Sequence, residues 1–467
     1  MNHTMKKILS LVLLAGLGLS SCKKWLDQPP TGALREDLFN TASDAQETLN
    51  SCYDALANLY DGRIQSVSEL LSDNLEQPNT NNDLRSVYAR QTTFFNSTTN
   101  KVYQDLYTVI WRCNTLLDNI DAIADLSEAE KGRLIAEARF LRGFCHWSAV
   151  KLWAQPYGYT AGNTHAGVPI RDEAAADPLQ RSSVKEVYDF VIEDLTFAHD
   201  NLPELNSVYA TRYAAAGVLA NVYFLMNDYS NTVSYCNEVI NSGQFSLIPD
   251  FNRFPDITFD VNSISESVFG TVSKYYLLGS DTAQDRRCGT FVSYYNVNNG
   301  VAELMLSENF QNFINLNPAD QRIINWIATE NNRGFLIKVT GSNLFSVPII
   351  HLTELKLIRA EALGELGSDL STAIQDLNDI RLRAYGPGSE LPGSTTAEDI
   401  IASARIEYRI ETIGEGKYVE QLRRRGTLGE NVVIRDAPYD CPGMAIQFPN
   451  AESTVIGFEL NPEGGCN

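Results

Sequence analysis

The sequence predicts a mostly α-helical fold, in which pairs of helices stack into an α/α superhelix that carries an irregular, partly β insertion. Apolar residues recur at every third or fourth position over most of the chain, which is the spacing of one face of an α-helix. Two stretches repeat one helix-pair pattern, and residues 246–347 between them lack a helical period over most of their length. With 467 residues, of which 44% are hydrophobic, the chain can bury a large core.

Residues 136–170 predict a long helix followed by a loop. The apolar face of this helix includes Phe140 and Trp147, and we expect charged residues such as Arg142 to lie largely off that face. Gly143 lies in the middle of the helix, where glycine costs about 1 kcal/mol relative to alanine. We therefore expect another helix to cross closely at Gly143.

Helix starts are predicted where Ser is followed three residues later by Glu or Gln, because the two residues can cap each other's backbone N–H groups. A long helix is also predicted over residues 99–123, and a last helix pair over residues 397–424. Residues 71–98 are polar and Asn-rich, and they predict a long irregular loop. The predicted capping pairs are Ser43 with Gln46, Ser127 with Glu130, and Ser183 with Glu186.

The two repeated stretches, residues 213–245 and 352–384, match the tetratricopeptide pattern of two helices joined by a turn. In the first stretch, Ala220 and Tyr223 take the small and aromatic positions, and Asp228 lies in the turn. Such pairs cannot bury their faces alone, so we expect them to stack into a curved scaffold. The prediction is a single domain over residues 22–467, with a tetratricopeptide-like helix-pair scaffold at 43–245 and 348–425, an insertion at 246–347 and an irregular tail at 426–467.

The N-terminal residues predict a lipoprotein signal peptide. Two lysines precede an apolar run at residues 8–19, and Leu19-Ser20-Ser21-Cys22 matches the lipobox, in which small residues precede a cysteine. We expect cleavage of residues 1–21 and attachment of the mature chain to a membrane through lipid on Cys22, because the apolar run is short for a membrane span. An uncleaved N-terminal anchor is the alternative, and Met5 is an alternative start.

Charge and cysteine usage narrow the class of partner. A formal net charge of −21 argues against binding to nucleic acid, because an acidic surface repels phosphates. Cys441 and Cys466 lie in the Gly- and Pro-rich tail of a chain that is expected to leave the reducing cytoplasm, so we expect a disulfide between them. The cysteine spacing shows no zinc motif, and we expect no metal. Four other cysteines lie in helical patterns and are expected to be buried: Cys52, Cys113, Cys145 and Cys236.

The common catalytic motifs are missing from the sequence. It contains no HExxH, no P-loop, no GxSxG elbow and no GxGxxG at a strand-to-helix turn, and its five histidines are scattered. We therefore predict a protein without enzymatic activity and without a cofactor. A hydrolase remains an alternative, because two carboxylates that the fold brings together leave no local trace in the sequence.

Carbohydrate recognition needs flat aromatic faces for the apolar side of a sugar ring, and Asn, Asp or Arg side chains for its hydroxyl groups. The loop at 71–98 and the insertion both offer this mixture. The alternative for each aromatic residue of these two regions is a place in the hydrophobic core. The candidate ligand-binding residues are Asp73, Asn74, Arg85, Tyr88, Phe94 and Phe95 in the loop, and Tyr275, Tyr276, Asp285, Arg286, Arg287, Tyr294 and Tyr295 in the insertion.

Several motifs, in order along the chain, resemble the SusD/RagB family of outer-membrane nutrient-uptake lipoproteins. They include CKKWLDQP from Cys22, EARFLRG from Glu137, GVPI from Gly167, RAEAL from Arg359 and LNDIR from Leu377. The resemblance implies a SusD-like fold with four tetratricopeptide-like helix pairs, which lies as a lid over a SusC-like TonB-dependent barrel. It also implies binding of oligosaccharides, occasionally peptides, without chemistry. Members differ in the loop and the insertion, so no binding residue carries over by motif.

The sequence and the resemblance together predict a non-enzymatic lipoprotein, exposed at the outer membrane, that binds oligosaccharides and delivers them to a TonB-dependent transporter. Three alternatives stay open. The first is a peptide-binding uptake lipoprotein of the same architecture. The second is a lipid-anchored hydrolase whose carboxylates meet in the insertion, and the third is a structural scaffold that docks a partner through its helical face.

Overall fold

The computed structural model describes residues 39–77, 81–249, 251, 267–271, 289–295, 302–338 and 347–466, and the structural statements below refer to these residues. The predicted signal peptide and Cys22 lie outside them. The described helices are α1 (Ala42–Leu59), α2 (Arg63–Leu71), α3 (Asn82–Tyr88), α4 (Ser97–Asn119), α5 (Glu128–Trp153), α6 (Val184–Asn201), α7 (Arg212–Leu225), α8 (Tyr229–Asn241), α9 (Gly289–Tyr295), α10 (Glu308–Ile314), α11 (Gln321–Trp326), α12 (Leu352–Leu366), α13 (Leu370–Tyr385), α14 (Ala397–Glu411) and α15 (Tyr418–Thr427). The short strands are β1 (Leu75–Glu76), β2 (Ser267–Thr271), β3 (Met305–Leu306), β4 (Ile327–Glu330), β5 (Arg333–Leu336), β6 (Val347–His351), β7 (Val433–Ile434) and β8 (Ala437–Pro438).

The long helices pack on one another in chain order. Helix α1 packs on α4, α4 on α5, α5 on α6, α6 on α7, and α7 on α8. Helix α8 then contacts α12, which packs against both α13 and α14. This serial packing confirms the predicted fold of mostly α-helical, tetratricopeptide-like pairs, because each helix buries its apolar face against its neighbours. In the described part of the chain, no helix is both long and apolar enough to cross a membrane.

The capping signals predict two helix starts correctly and misplace one. Ser127 caps α5 together with Glu130, and Ser183 caps α6, each in a reciprocal capping box. The first helix begins earlier than the pair Ser43 and Gln46 predicts. Thr41, in an extended conformation, accepts from the backbone N–H of Asp44, and the Asp44 carboxylate accepts in return from the Thr41 N–H. The first helix is therefore capped by Thr41 and Asp44 and not by the predicted pair Ser43 and Gln46.

Helix α5 is buried on all sides along its second half, which differs from the predicted single apolar face. Glu137 and Arg142 are both buried with the aromatic residues. Their charges are compensated, since Arg133 pairs with Glu137 (2.5 Å) and Arg142 pairs with Asp194 of α6 (2.8 Å). The predicted close crossing at Gly143 is confirmed, because a Cβ atom there would lie 2.9 Å from the Cβ of Asp194.

Residues 71–98 are more ordered than the predicted loop. Helix α2 runs up to Leu71, and α3 occupies Asn82–Tyr88. The Asn81 side chain accepts hydrogen bonds from the backbone N–H groups of Asp83 and Leu84, and so caps α3. An asparagine of this Asn-rich segment therefore starts a helix. Composition alone does not distinguish such a helix cap from a loop.

The insertion is partly β, as predicted, in those segments that the structure describes. Strand β2 pairs antiparallel with β6, and β4 forms a hairpin with β5. The sequence predicts a β-like run within residues 281–300, bounded by Gly and Asn. This prediction is wrong at Gly289–Tyr295, which form helix α9. The Tyr294 and Tyr295 side chains therefore do not alternate across a strand.

The C-terminal tail lies across the N-terminal half of the scaffold. Its segment from Met444 to Pro449 is buried, and the Trp153 indole N–H donates to the carbonyl of Gln447 (3.2 Å). A disulfide joins Cys441 to Cys466, with Cα atoms 5.1 Å apart. The tail thus forms part of the core of the molecule. As predicted, the thiols in helical patterns are buried: Cys52, Cys113, Cys145 and Cys236.

Candidate functional site

The fold brings the two regions predicted to bind ligand together at the N-terminal end of α4. Strand β1 of the loop pairs with β3 of the insertion, so that Leu75 lies opposite Leu306. In addition, the backbone N–H of Phe291 in α9 donates to the carbonyl of Asp61, before α2 (3.0 Å). We call the resulting surface the candidate face; it comprises Arg85, Tyr88, Phe94, Phe95 and Tyr294 together with the polar residues Asp61, Arg63, Lys101, Asp105 and Thr290.

An aromatic platform lies at the start of α4. Phe95 is 73% exposed, and its ring centroid lies 4.4 Å from that of Phe94. The backbone beneath the two rings is fixed, because Asn96 caps α4 and the Asn100 amide donates to the carbonyl of Phe94 (3.0 Å). A large aromatic ring held open to solvent offers a flat apolar surface for the face of a sugar ring.

A charged network lies on the neighbouring side of α4. Arg63 bridges Asp61 (3.1 Å) and Asp105 (3.2 Å), and Lys101 also pairs with Asp105. The Thr290 hydroxyl of α9 donates to the Asp61 carboxylate. Burial raises the pKa of Asp61 to about 6, although the Arg63 charge opposes this rise. These groups supply both donors and acceptors, which is what sugar hydroxyls require.

Helix α3 and the tail form another side of the candidate face. The Arg85 side chain is exposed and donates to the Asn82 side chain (2.8 Å). Tyr88 is half-buried, and the Arg435 guanidinium lies 4.1 Å from its ring centroid. Arg435 adopts a left-handed backbone conformation with φ of 45°. Such conformations are uncommon for residues other than glycine and often occur at functional positions.

Three predicted ligand-binding residues are occupied by structural contacts. Asn74 is fully buried, and its side-chain oxygen accepts from Arg409 Nε (2.8 Å), while Asp73 pairs with the same arginine (3.3 Å). Tyr295 is fully buried beside Phe291 in the core. Asn74 and Tyr295 therefore do not belong to the candidate face, because their side chains have no surface for a ligand. Tyr275, Tyr276, Asp285, Arg286 and Arg287 lie outside the described residues.

Sequence patterns did not reveal the charged network. Its members come from three separate parts of the chain: the start of α2 with the turn before it, the N-terminal part of α4, and α9. Tertiary packing brings these residues together, so no spacing within the sequence predicts the network. Among the predicted residues that the structure describes, Tyr294 lies beside the network; burial raises its pKa, and the Arg63 charge lowers it.

An internal cavity lies between α2, α5, α12 and α15. It holds about 70 Å³ of space for water-sized molecules and is lined by aromatic and charged residues that include Trp147, Glu354 and Lys417. Lys417 pairs with Glu354, so the two charges compensate each other. A volume of this size accommodates a few water molecules and is too small for a sugar ring. In the described residues, no group of three His, Cys, Asp or Glu side chains is placed to hold a metal ion.

Two family models match the chain. Residues 24–224 match a SusD-like model described as starch-binding and associating with the outer membrane, and residues 292–440 match the model of the SusD family. The fold and both matches place the chain in one class, the helical-repeat proteins of SusD type. The chain belongs to the SusD/RagB family.

Curated relatives match along part of the chain. SusD-like protein P25 of Formosa agariphila is 25% identical over 247 residues, which is 50% of this chain and 45% of that protein. A SusD-like protein of Bacteroides ovatus is 26% identical over 236 residues, which is 49% of this chain and 41% of that protein. The chain thus matches less than half the length of these two relatives.

Solved structures share the fold over most of the chain. A SusD superfamily protein from Bacteroides thetaiotaomicron superposes with a TM-score of 0.76 at 22% identity, over 90% of this chain and 100% of that one. A SusD-like carbohydrate binding protein from Bacteroides vulgatus gives a TM-score of 0.68 at 19% identity, over 83% of this chain and 84% of that one. Both similarities concern the fold.

Proposed function

We propose that this protein is a non-enzymatic, surface-exposed lipoprotein that binds oligosaccharides and delivers them to a TonB-dependent transporter of the outer membrane. The observation that carries the binding role is the candidate face, where the exposed Phe95 ring directly precedes α4, the helix that carries Lys101 and Asp105 of the charged network. Two comparisons support it: the starch-binding description of the family model, and the carbohydrate binding description of the Bacteroides vulgatus protein.

The candidate face suits reversible binding of a neutral polymer. The Phe95 ring covers the apolar side of one sugar ring, and Arg63, Lys101 and Tyr294 form hydrogen bonds with its hydroxyl groups. The side chains of the network are already held by one another, so binding orders few additional groups. Weak, preorganised contacts of this kind permit release to a transporter.

Replacement of Phe95 tests the binding role. We expect Phe95→Ala to weaken the binding of the preferred oligosaccharide about tenfold, because one aromatic stacking contact is lost. Isothermal titration of the mature chain against neutral and acidic oligosaccharides measures this change. Leu205→Ala is the matched control, because Leu205 is 77% exposed in the loop between α6 and α7, and its truncation should leave affinity unchanged.

Two results would contradict the proposed ligand class. Binding of short peptides without binding of any sugar would indicate a peptide-uptake protein. Equal affinities of the wild type and Phe95→Ala would place the sugar site elsewhere.

Attachment to the outer membrane through lipid on Cys22 belongs to the same proposal. It is supported by the lipobox before Cys22 and by the description of the family model as associating with the outer membrane. Mass spectrometry of the mature N-terminus tests it, and an unmodified Cys22 would contradict it. Co-purification of a TonB-dependent barrel from native membranes tests the transporter partner.

A further inference from the structure

A second cleft opens along α4, about two helical turns beyond the aromatic platform. Its floor consists of Tyr103, Tyr107 and Trp111, which recur at intervals of four and so lie on one side of the helix. Its walls are residues from the segment 169–179 and from the tail segment 449–452. We call it the α4 cleft. It offers about 540 Å³ of space for water-sized molecules, within the range of about 300–1,000 Å³ for small-molecule sites.

The aromatic floor is rigid and partly open. Tyr103 is buried and packs edge-on against the ring of Trp153, with centroids 5.2 Å apart. The Tyr107 hydroxyl donates to the carbonyl of Pro169 in the wall (2.8 Å). Tyr107 and Trp111 are both half-buried, so part of each ring faces the cleft. Rings fixed before binding lose little conformational entropy when a ligand stacks on them.

Hydrogen bonds with α4, with α5 and with the aromatic platform hold the two walls in place. The Asn114 amide of α4 donates to the carbonyl of Arg171 (3.0 Å), and the backbone N–H of Arg171 donates to His146 Nε2 of α5 (3.1 Å). On the other side, the backbone N–H of Asn450 donates to the carbonyl of Phe94 (3.3 Å). This last contact places the tail wall directly beside the aromatic platform, so the α4 cleft and the candidate face are neighbours.

Two guanidinium groups line the α4 cleft. Arg112 donates to the carbonyl of Ser51 (2.6 Å), and Arg171 donates to the carbonyls of Ala175 (2.8 Å) and Asp177 (3.0 Å). Hydrogen bonds to uncharged carbonyl groups position a guanidinium charge without neutralising it. Guanidinium groups held in this way suit the planar recognition of carboxylate and sulfate groups.

One carboxylate, that of Glu452, also lines the α4 cleft. Burial raises the pKa of Glu452, while the nearby Tyr103 hydroxyl and the charge of Arg171 oppose this rise. Among the described residues, the charged side chains that line the cleft are therefore those of two arginines and one glutamate. A positive excess at this place contrasts with the net charge of −21 of the whole chain.

We propose that the α4 cleft is a second carbohydrate subsite, which binds a sugar residue carrying a carboxylate or sulfate group while the neighbouring candidate face holds the rest of the oligosaccharide. The inference rests on the proposed function. Tyr107 and Trp111 stack on the sugar ring, Arg112 and Arg171 bind its anionic group, and the exposed side chain of Gln104 forms hydrogen bonds with its hydroxyl groups.

Two variants at Thr108, which is exposed at the cleft, test the charge requirement. Thr108→Glu and Thr108→Gln have the same size and differ only in charge, and neither removes a core contact. We expect Thr108→Glu to bind a galacturonic acid trimer at least about fivefold more weakly than Thr108→Gln does, because a single charge at close range has about this effect. A neutral galactose trimer should bind both variants equally. Titration calorimetry on the mature chain measures all four affinities, and a sulfated galactose trimer distinguishes sulfate from carboxylate.

The possible outcomes distinguish a failure of the anionic subsite from a failure of the proposed function. The anionic subsite would be overturned if Thr108→Glu and Thr108→Gln bind the galacturonic acid trimer with equal affinity and also bind the sulfated trimer with equal affinity. If Phe95→Ala weakens sugar binding but Trp111→Ala does not, the α4 cleft is not a sugar site and the proposed function stands. If the wild type binds none of the trimers but binds an acidic peptide, both inferences fail.

Discussion

At the residue scale, stability depends on charges that the scaffold buries in pairs. Asp194 of α6 is fully buried and accepts from Arg139 (2.7 Å) and from Arg142 (2.8 Å), both of α5. Arg142 is itself buried. Removal of one member of such a cluster leaves an uncompensated charge in the protein interior, which costs more than the loss of an exposed pair.

We expect Asp194→Ala to lower the free energy of unfolding by about 3–5 kcal/mol, because Arg142 stays buried without its partner. Asp189→Ala on the same helix is the control. Asp189 pairs with Lys185, both side chains are 57% exposed, and its loss should cost less than about 1 kcal/mol. Urea denaturation measures both values. Equal losses in the two variants would contradict the role assigned to burial.

At the element scale, the crossing of α5 and α6 sets how closely the helix pairs approach. Gly143 permits this approach, since a Cβ atom there would lie 2.9 Å from the Asp194 Cβ and 3.4 Å from the Val191 carbonyl oxygen. Both neighbours belong to the core of the scaffold and have little freedom to move. At Gly132, one of the first residues of the same helix, no heavy atom lies within 4 Å of the Cβ position apart from the adjoining residues and backbone of the helix itself.

The two glycines of α5 should therefore respond in opposite directions to the same substitution. We expect Gly143→Ala to destabilise the protein by about 1–3 kcal/mol, because the added methyl group overpacks the crossing. Gly132→Ala should stabilise it by about 0.5–1 kcal/mol, because alanine favours the helix. Thermal and urea unfolding of both variants check the signs. Stabilisation by Gly143→Ala would show that the crossing has room.

At the scale of the whole molecule, the tail connects the end of the chain to its N-terminal half. The Asn461 amide donates to the carbonyl of Trp153 (2.8 Å), and Arg90 donates to the carbonyl of Ile434 (2.7 Å). The disulfide between Cys441 and Cys466 closes this tail on itself, with a sequence separation of 25 residues. The tail also supplies a wall of the α4 cleft, so its order affects the proposed subsite as well as stability.

We expect the double substitution Cys441→Ser and Cys466→Ser to lower the free energy of unfolding by about 2–4 kcal/mol, because the unfolded chain regains the entropy of the open loop. Denaturation with and without a reducing agent measures the effect. Reduction should destabilise the wild type by a similar amount and leave the double variant unchanged. Equal stability of the oxidised wild type and the double variant would contradict the prediction.

The sequence predicted the scaffold well because helix formation leaves local marks. The capping boxes at Ser127 and Ser183 and the glycine at the α5 crossing are readable within a few residues. The predictions were wrong where one local sequence pattern is compatible with two different structures. Asn81 could belong to a loop or a cap, and the FVSYY run, now part of α9, could belong to a strand or a helix.

The candidate site was predicted only in part. The aromatic residues of the loop were identified by composition, and Phe95 is indeed exposed, whereas Asn74 and Tyr295 are buried. Exposure depends on what packs against a side chain, and residues distant in sequence supply that packing. The Tyr103, Tyr107 and Trp111 series was readable as a helical stripe, but nothing local distinguishes a cleft floor from a core face.

By itself, then, the sequence determined the helical class, the serial helix pairs, the burial of the helical cysteines and the family. These depend on short-range periodicity and on ordered motifs. Only the tertiary structure decided that the loop and the insertion meet at α4, that Asp61, Arg63 and Thr290 form one network, and that the tail closes the α4 cleft. Those contacts join residues far apart in the chain, and their free energy comes from packing that exists only in the folded molecule.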